Sequence, residues 1–283
     1  MITAIPSEVW AFDCEWVPDL TAGRLLYKLP AELPGNEVLR VMWEEGGATE
    51  ETPRPFLKTA LCRVVSIATL IRKKTADGTV RLYLRALPAN TTDHTPHEES
   101  DILKRFLEDG VGRYKPQLVG YNSRKSDLHI LTQRAIFHGL SLPEFSRRLN
   151  AKPWESQDVD LMNIVSGYGR GYTASLNEVA TLSGIPGKLE TSGDDVCGLY
   201  YSGKLREIIQ YNCFDALTTY LVWLRIARFS GLFTAEEYKN EQVLVKNMLE
   251  TMLEKPENSY LQTYLDAWQR LKQQTGQDNN GVF

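Results

Sequence analysis

Hydrophobic positions along this chain follow two periods. Near the N-terminus Val9, Trp10, Ala11 and Phe12 form a short unbroken apolar run, which predicts a first strand over Ser7–Phe12. Arg63–Ile71, RVVSIATLI, is rich in β-branched residues and predicts a buried strand. Asp77-Gly78 is a hairpin signal, and Thr79–Leu84 follow as the next strand. Gln117–Tyr121, QLVGY, is another short strand. Elsewhere the period is helical. Ala22–Leu29 and Glu37–Glu45 read as short helices, punctuated by Pro30, Pro34, Pro53 and Pro55. Glu99–Glu108 is helical, and Asp127–Gly139 is a helix closed by glycine. The second half is mostly helix. Asp160–Val165 is one, a capping box at Ser175-Leu-Asn-Glu178 opens the next, and a long one runs from about Lys204 to Ser230. A second capping box, Thr234-Ala-Glu-Glu237, opens a helix that stops before Pro256, and a last helix covers Ser259 to about Gln274. This order predicts one α/β domain, a mixed central sheet flanked by helices, over 1–232, with a helical insertion at about 19–60. A helical C-terminal extension is expected over 233–283. Its apolar stripe, Val245, Met248, Leu249, Met252 and Leu253, suits packing on the domain, with a dimer or partner surface as the alternative.

Composition narrows the class. The 283 residues are 42% hydrophobic and 24% charged, which is ordinary for a globular protein with one large domain or two small ones. No apolar run is long enough to span a membrane, and MITAIPSEVW lacks the features of a signal peptide. Cys14, Cys62, Cys197 and Cys213 are scattered, with no C-x-x-C pair, and read as reduced thiols in a cytoplasmic protein. A net charge of −4 argues against a protein that coats nucleic acid. It does not argue against an enzyme that holds a few nucleotides in a cleft, where local charge decides.

The candidate chemistry lies in acids placed against the pattern. Asp13 and Glu15 follow the first apolar run two residues apart, so on a strand they project from the same face while Cys14 points the other way. Asp127 stands at the start of a helix, after the strand and loop VGYNSRKSD, where by itself it also suits a helix cap. Tyr211 and Asp215 are spaced i, i+4 on a helix whose other residues, Ile208, Ile209, Leu217 and Leu221, mark it as largely buried. A buried aspartate needs a partner. Gathered in one pocket, the four carboxylates bring four negative charges, and each pair about 6 Å apart repels by roughly 3 kcal/mol at an effective dielectric near 20. Two divalent cations cancel that charge, and hard oxygen ligands suit Mg²⁺ or Mn²⁺ rather than zinc. Two ions about 3.5–4 Å apart clamp the attacking and leaving oxygens of a phosphoryl displacement.

The segments FDCE, GYNSRKSD and YNCFD, in that order, resemble the three exonuclease motifs of the DEDDy class of 3′–5′ exonucleases. More closely, the chain resembles the bacterial group of predicted 3′–5′ exonucleases related to the exonuclease domain of family B DNA polymerases. That likeness spans most of residues 8–232. It includes LCRVVSIATLIR, DLMNIVSGYGRGYTASLNEVATLSGIPGK and LYYSGKLREIIQYNCFDALTTYLVWLR. The resemblance implies a ribonuclease H-like fold and two Mg²⁺ or Mn²⁺ ions held by Asp13, Glu15, Asp127 and Asp215. It implies Tyr211 as the residue that holds or helps deprotonate the attacking water, and nucleic acid, with single-stranded DNA 3′ ends first, as the substrate. The sister class carries a histidine one residue earlier on the last helix, where this chain has Gln210, so the tyrosine subclass is expected.

By the same resemblance Asn122 hydrogen-bonds near the 3′ end or braces its loop. Asp160 supports the site or contacts substrate, with helix capping as the equal alternative. Lys188, Arg124 and Lys125 are phosphate-contact candidates, although an exposed lysine needs no special account. Gly167-Tyr-Gly-Arg-Gly171 suits close approach to a phosphate backbone or a plain inter-helix loop. The chain departs from the pattern at Trp16, where relatives carry a threonine, at Ser126 for phenylalanine, and at His129 for proline. Trp16 stacks on a base or blocks the site. The alternatives to a DNA exonuclease are a 3′–5′ exoribonuclease and a non-catalytic nucleic-acid-binding module on the same fold.

Overall fold

The computed structural model describes residues 2–89, 97–151, 158–189 and 196–275. Its centre is a mixed five-stranded sheet in the order β3-β2-β1-β4-β5. β1 (Glu8–Pro18), β2 (Cys62–Lys74) and β3 (Val80–Leu87) form an antiparallel meander, and β4 (Gln117–Gly120) and β5 (Val159–Asp160) run parallel on the far side of β1. This is the α/β arrangement, a mixed central sheet flanked by helices, that the sequence predicted.

Alternation along β1 decides what each face of the sheet carries. Val9 and Ala11 join Ala68, Leu70, Leu84 and Val119 against the long helix α9 (Leu205–Phe229). Trp10, Phe12 and Cys14 join Ile67 and Leu118 against α3 (Glu99–Lys104) and α4 (Asp127–Phe137). Two apolar clusters therefore clamp β1 from opposite sides. α9 is buried along most of its length because it is covered twice. The sheet lies on one side, and α7 (Leu176–Leu182), α10 (Ala235–Leu253) and α11 (Leu261–Gln274) lie on the other. The inserted helices α1 (Leu20–Tyr27) and α2 (Gly35–Glu45) close on their own small core of Val38, Met42 and Leu61.

β1 runs six residues beyond the predicted end. The charges at 13 and 15 interrupt the apolar run that the sequence pattern follows, but the backbone keeps its ladder to β2 as far as Pro18. Val159–Asp160, expected to open a helix, is instead a two-residue strand whose Asp160 caps α6 (Leu161–Val165). α5 (Pro143–Leu149) and α8 (Val196–Tyr201) are additional short helices. No disulfide joins the four cysteines, all of which are among the described residues, and Cys14 and Cys213 lie in the core. No helix among the described residues is long and apolar enough to cross a membrane.

Two buried ion-pair networks tie the periphery to the sheet. Glu99 accepts from Arg134 at 2.5 and 2.8 Å and from the Val64 backbone at 2.7 Å, and Arg134 reaches Asp19 at the head of α1 at 2.9 Å. On the opposite face Arg72 of β2 pairs with Glu241 of α10 at 2.5 Å, and the Tyr220 hydroxyl of α9 donates to the same carboxylate at 3.0 Å. Removing one partner of such a pair strands the other charge in the interior. Glu241→Ala is therefore expected to lower stability by about 3–5 kcal/mol in urea unfolding. A loss below about 1 kcal/mol would show that this pair does not anchor α10.

Candidate active site

Asp13 and Glu15 stand side by side on the face of β1 that meets α9, as the two-residue spacing requires. α9 brings Asp215 against them, and carboxylate oxygens of Asp13, Glu15 and Asp215 all lie within 4.8 Å of one another. One turn earlier on α9, buried Tyr211 stands beside Asp215, the neighbour expected of an i, i+4 pair. The Asp13 and Glu15 carboxyls lie close enough for each to disfavour ionisation of its neighbour. A β-bulge follows directly, where the pairing with β2 steps from Glu15–Ser66 to Trp16–Val64.

Asp127 arrives from the opposite side. β4 pairs with β1 only as far as Ala11–Val119, so β1 has an open edge beyond that point. The Cys14 N–H on this edge donates to Asp127 Oδ1 at 3.1 Å, and the Ser126 hydroxyl donates to Asp127 Oδ2 at 2.7 Å. Asp127 occupies the first turn of α4 and is 4% exposed. It does not belong to the group of three that converge within 4.8 Å, because its oxygens are turned to the β1 backbone and to Ser126. Its charge still acts on the group.

Burial, followed by the charges of Asp127, Glu15 and Asp215, holds the Asp13 carboxyl well above the usual carboxylate range. Burial and then Asp215 and Asp127 do the same to Glu15, against a smaller opposing pull from Lys188. Burial pushes Asp127 up to about 7 and Asp215 up to about 6, although hydrogen bonds to each favour the charged form. The Tyr211 phenol is driven far above the ordinary tyrosine value by burial and by the neighbouring Asp215 and Glu15. Without metal the Tyr211 phenol therefore keeps its proton.

The remaining candidates fall into three groups. Asp160 braces the loop before α4: its carboxylate accepts the backbone N–H groups of Asn122 at 2.9 Å, Arg124 at 3.2 Å and Met162 at 3.1 Å. Both oxygens are occupied by the chain. Asn122 serves the same loop through its backbone, in a left-handed conformation at φ 59°, with its carbonyl accepting from the Lys125 and Ser126 N–H groups. Arg124 turns its guanidinium to the Asp158 carbonyl at 3.1 Å, away from the acids, while Lys125 is exposed. Trp16 lies on the face of β1 opposite Asp13 and Glu15, packed against the cluster that holds Phe12 and Cys14. Lys188 is exposed, and its charge reaches Glu15 and Asp215 from the solvent side. Gly167–Gly171 is the exposed turn between α6 and α7.

Sequence reasoning missed the Cys14 backbone as the anchor of Asp127, Ser126 as a donor to it, and Asn177 and Thr218, which hold the Lys188 loop. Only Gly187, wedged between a proline and a lysine, carries a readable signal of that loop's tight packing.

Residues 54–268 match a family described as predicted 3′–5′ exonuclease related to the exonuclease domain of PolB. The matched segment takes in Asp127, Lys188, Tyr211, Asp215, α10 and part of α11, and it begins after Asp13 and Glu15. It thus reaches further toward the C-terminus than the likeness drawn from motifs alone. Among solved structures the chain is similar to the family B DNA polymerase of the hyperthermophilic archaeon Pyrobaculum calidifontis. Identity is 18% over 88% of this chain and 29% of that one, with a TM-score of 0.44. No curated protein matches. With most of its length matched, the chain belongs to the family of predicted 3′–5′ exonucleases related to the exonuclease domain of PolB.

Proposed function

We propose that this chain is a metal-dependent 3′–5′ exonuclease that hydrolyses the terminal phosphodiester of single-stranded DNA. The observation that carries the reading is the convergence of Asp13, Glu15 and Asp215 within 4.8 Å, beside a fourth acid and with no ion pair to any of the four among the described residues. The donor set fits divalent cations: it is all carboxylate oxygen, it carries surplus negative charge, and without metal its Asp13 and Glu15 carboxyls are held well above the usual carboxylate range. Asp13, Glu15 and Asp215 would hold Mg²⁺ or Mn²⁺, two ions by charge balance, with Asp127 completing the acidic set. When bound, such ions supply Lewis acidity to the attacking water and to the charge that develops on the phosphate and its leaving oxygen.

The chain's own groups account for the rest. Tyr211, protonated and buried one turn from Asp215 on α9, offers a phenol to orient the attacking water. Lys188 faces the carboxylates from the open side, where a substrate phosphate would enter, and balances that phosphate's charge. Water adds to phosphorus, the bond to the 3′ oxygen of the preceding nucleotide breaks, and that oxygen takes a proton. The products are a nucleoside 5′-monophosphate and a strand one unit shorter.

The raised carboxyl values also fix a pH dependence. Between about pH 4 and pH 7 the folded metal-free protein binds more protons at Asp127 and Asp215 than the unfolded chain does. The stability tied to these groups is complete below about pH 4 and is lost as pH rises through 6 and 7. Mn²⁺ is expected to raise the melting temperature of the wild-type chain more at pH 8 than at pH 5. Metal-free Asp13→Asn should melt above metal-free wild type at pH 8. An Asp13→Asn chain that melts lower, with Mn²⁺ acting equally at both pH values, contradicts the charge argument.

Activity gives the second test. With a 5′-labelled DNA oligomer and Mn²⁺, the wild-type chain should produce a ladder that shortens from the 3′ end. Asp13→Ala and Asp215→Ala should each lower the rate by more than the about 100-fold that changes around a ligand set cost. Tyr211→Phe should lower kcat by roughly 100-fold while Mn²⁺ binding persists. Release from the 5′ end, or full activity in Asp13→Ala, rejects the reading.

A further inference from the structure

Lys188 sits on an exposed loop, where a lysine is ordinarily loose, yet the backbone on both sides of Gly187 is pinned. On one side the Lys188 N–H donates to the side-chain oxygen of Asn177 on α7 at 2.7 Å. On the other, the Pro186 carbonyl accepts the Thr218 hydroxyl of α9 at 2.8 Å. Thr218 is 1% exposed and lies one turn beyond Asp215 on the same helix.

The direction of the network can be worked out. Thr218 has a single hydroxyl proton, and the Pro186 carbonyl can only accept, so that proton is committed. Tyr264 of α11, fully buried with its hydroxyl 3.1 Å from Thr218 Oγ1, must then be the donor to Thr218. The relay runs from Tyr264 through Thr218 to Pro186. Gly187 permits it: a Cβ there would come within 2.1 Å of the Asn177 side-chain oxygen and 2.9 Å of Thr181 Oγ1. The loop is thus fastened to the helix that carries Tyr211 and Asp215, and the fastening extends to the C-terminal helix.

We propose that Asn177, Thr218 and Tyr264 are positioning residues that hold the Lys188 backbone over the carboxylate cluster, so that the ammonium meets the phosphate of the terminal nucleotide. This rests on the exonuclease reading and adds to it the residues that set where the cation stands. Fixing the Cα of a lysine confines the ammonium to the reach of its four-carbon stem. On a free loop the same charge would be spread over a much larger volume, and the phosphate would meet it less often.

A double-mutant cycle tests the tether. Lys188→Ala should lower kcat/KM on a single-stranded DNA oligomer by about 10- to 100-fold. Asn177→Ala and Thr218→Val should each lower it about tenfold in the wild-type background and hardly at all in the Lys188→Ala background. Thr218→Ser, which keeps the hydroxyl, should restore the rate, and Mn²⁺ titration heats should match wild type. Independently of turnover, the Lys188 amide should exchange slowly in the wild-type chain and rapidly in Asn177→Ala. If Thr218→Val fails to fold, Asn177→Ala, on the half-buried side of α7, carries the test alone. Losses of equal size in both backgrounds, or an Asn177→Ala rate equal to wild type, overturn the tether while the exonuclease reading stands. A wild-type chain that leaves 3′ ends intact overturns both.

Discussion

The arrangement of this molecule follows from one electrostatic constraint. Carboxylates are held together in a space with too little positive charge to balance them, and the frame has to resist their repulsion. Asp13 and Glu15 cannot separate, because strand alternation fixes both on one face of β1 and two apolar clusters clamp that strand. Asp215 cannot retreat, because α9 lies between the sheet and three further helices. Asp127 cannot leave, because it fills the hydrogen-bonding vacancy on β1 where β4 has ended. The residue between the two acids has two uses at once: the Cys14 side chain packs in the far core, and its amide holds the fourth acid.

The other buried charges of the fold show what structural compensation looks like. Glu99 and Asp19 share Arg134, and Glu241 has both Arg72 and the Tyr220 hydroxyl. These carboxylates are matched by guanidinium groups at hydrogen-bonding distance. The four acids of the site instead have a serine hydroxyl and a backbone amide, which donate hydrogen bonds without bringing charge, a neighbouring phenol, and, among the described residues, an exposed lysine at longer range. A fold that matches Glu99, Asp19 and Glu241 with guanidinium groups and leaves these four converging acids short of cations has a place for cations or for a phosphate with its counter-ions. The protein alone accommodates the deficit by holding all four carboxyls above the usual carboxylate range.

Much of this was legible in the sequence, for identifiable reasons. The i, i+2 spacing of Asp13 and Glu15 and the i, i+4 spacing of Tyr211 and Asp215 are statements about local geometry, and local geometry survives folding. The long β-branched run of β2 and the two capping boxes of α7 and α10 were equally plain. What could not be read depends on where other elements stop. The approach of Asp127 to Cys14 exists only because β4 ends at Gly120. The two residues of β5 carry no periodicity, so Asp160 reads as a helix start, and its bonds to the Asn122 and Arg124 backbones bridge about 40 residues of sequence. Lys188 gave only the signal of any surface lysine, since its placement is written in Asn177, Thr218 and the missing Cβ at 187. Trp16 illustrates the reverse case. Standing where relatives carry a threonine, it is expected to stack on a base or block the site, and alternation sends it to the face of β1 opposite the acids.

The C-terminal helices belong to the same electrostatic problem. Repulsion between Asp215 and the β1 acids pushes α9 away from the sheet, so whatever covers the back of α9 bears on the site. α10 grips it at Tyr220 through Glu241, whose other partner is Arg72 on β2, and one ion pair thereby straps helix to sheet across α9. α11 grips it at Thr218 through Tyr264 and stacks the same ring on Phe214 at 5.6 Å, next to Asp215 in the chain. Both contacts fall within two turns of the residues that converge with Asp13 and Glu15. A helix backed only by solvent could relieve the repulsion by tilting outward, and the three carboxylates would then drift beyond the reach of a common cation. With its back closed by α10 and α11, α9 holds that geometry before any ion arrives, and this preorganisation is what a cluster built from like charges requires.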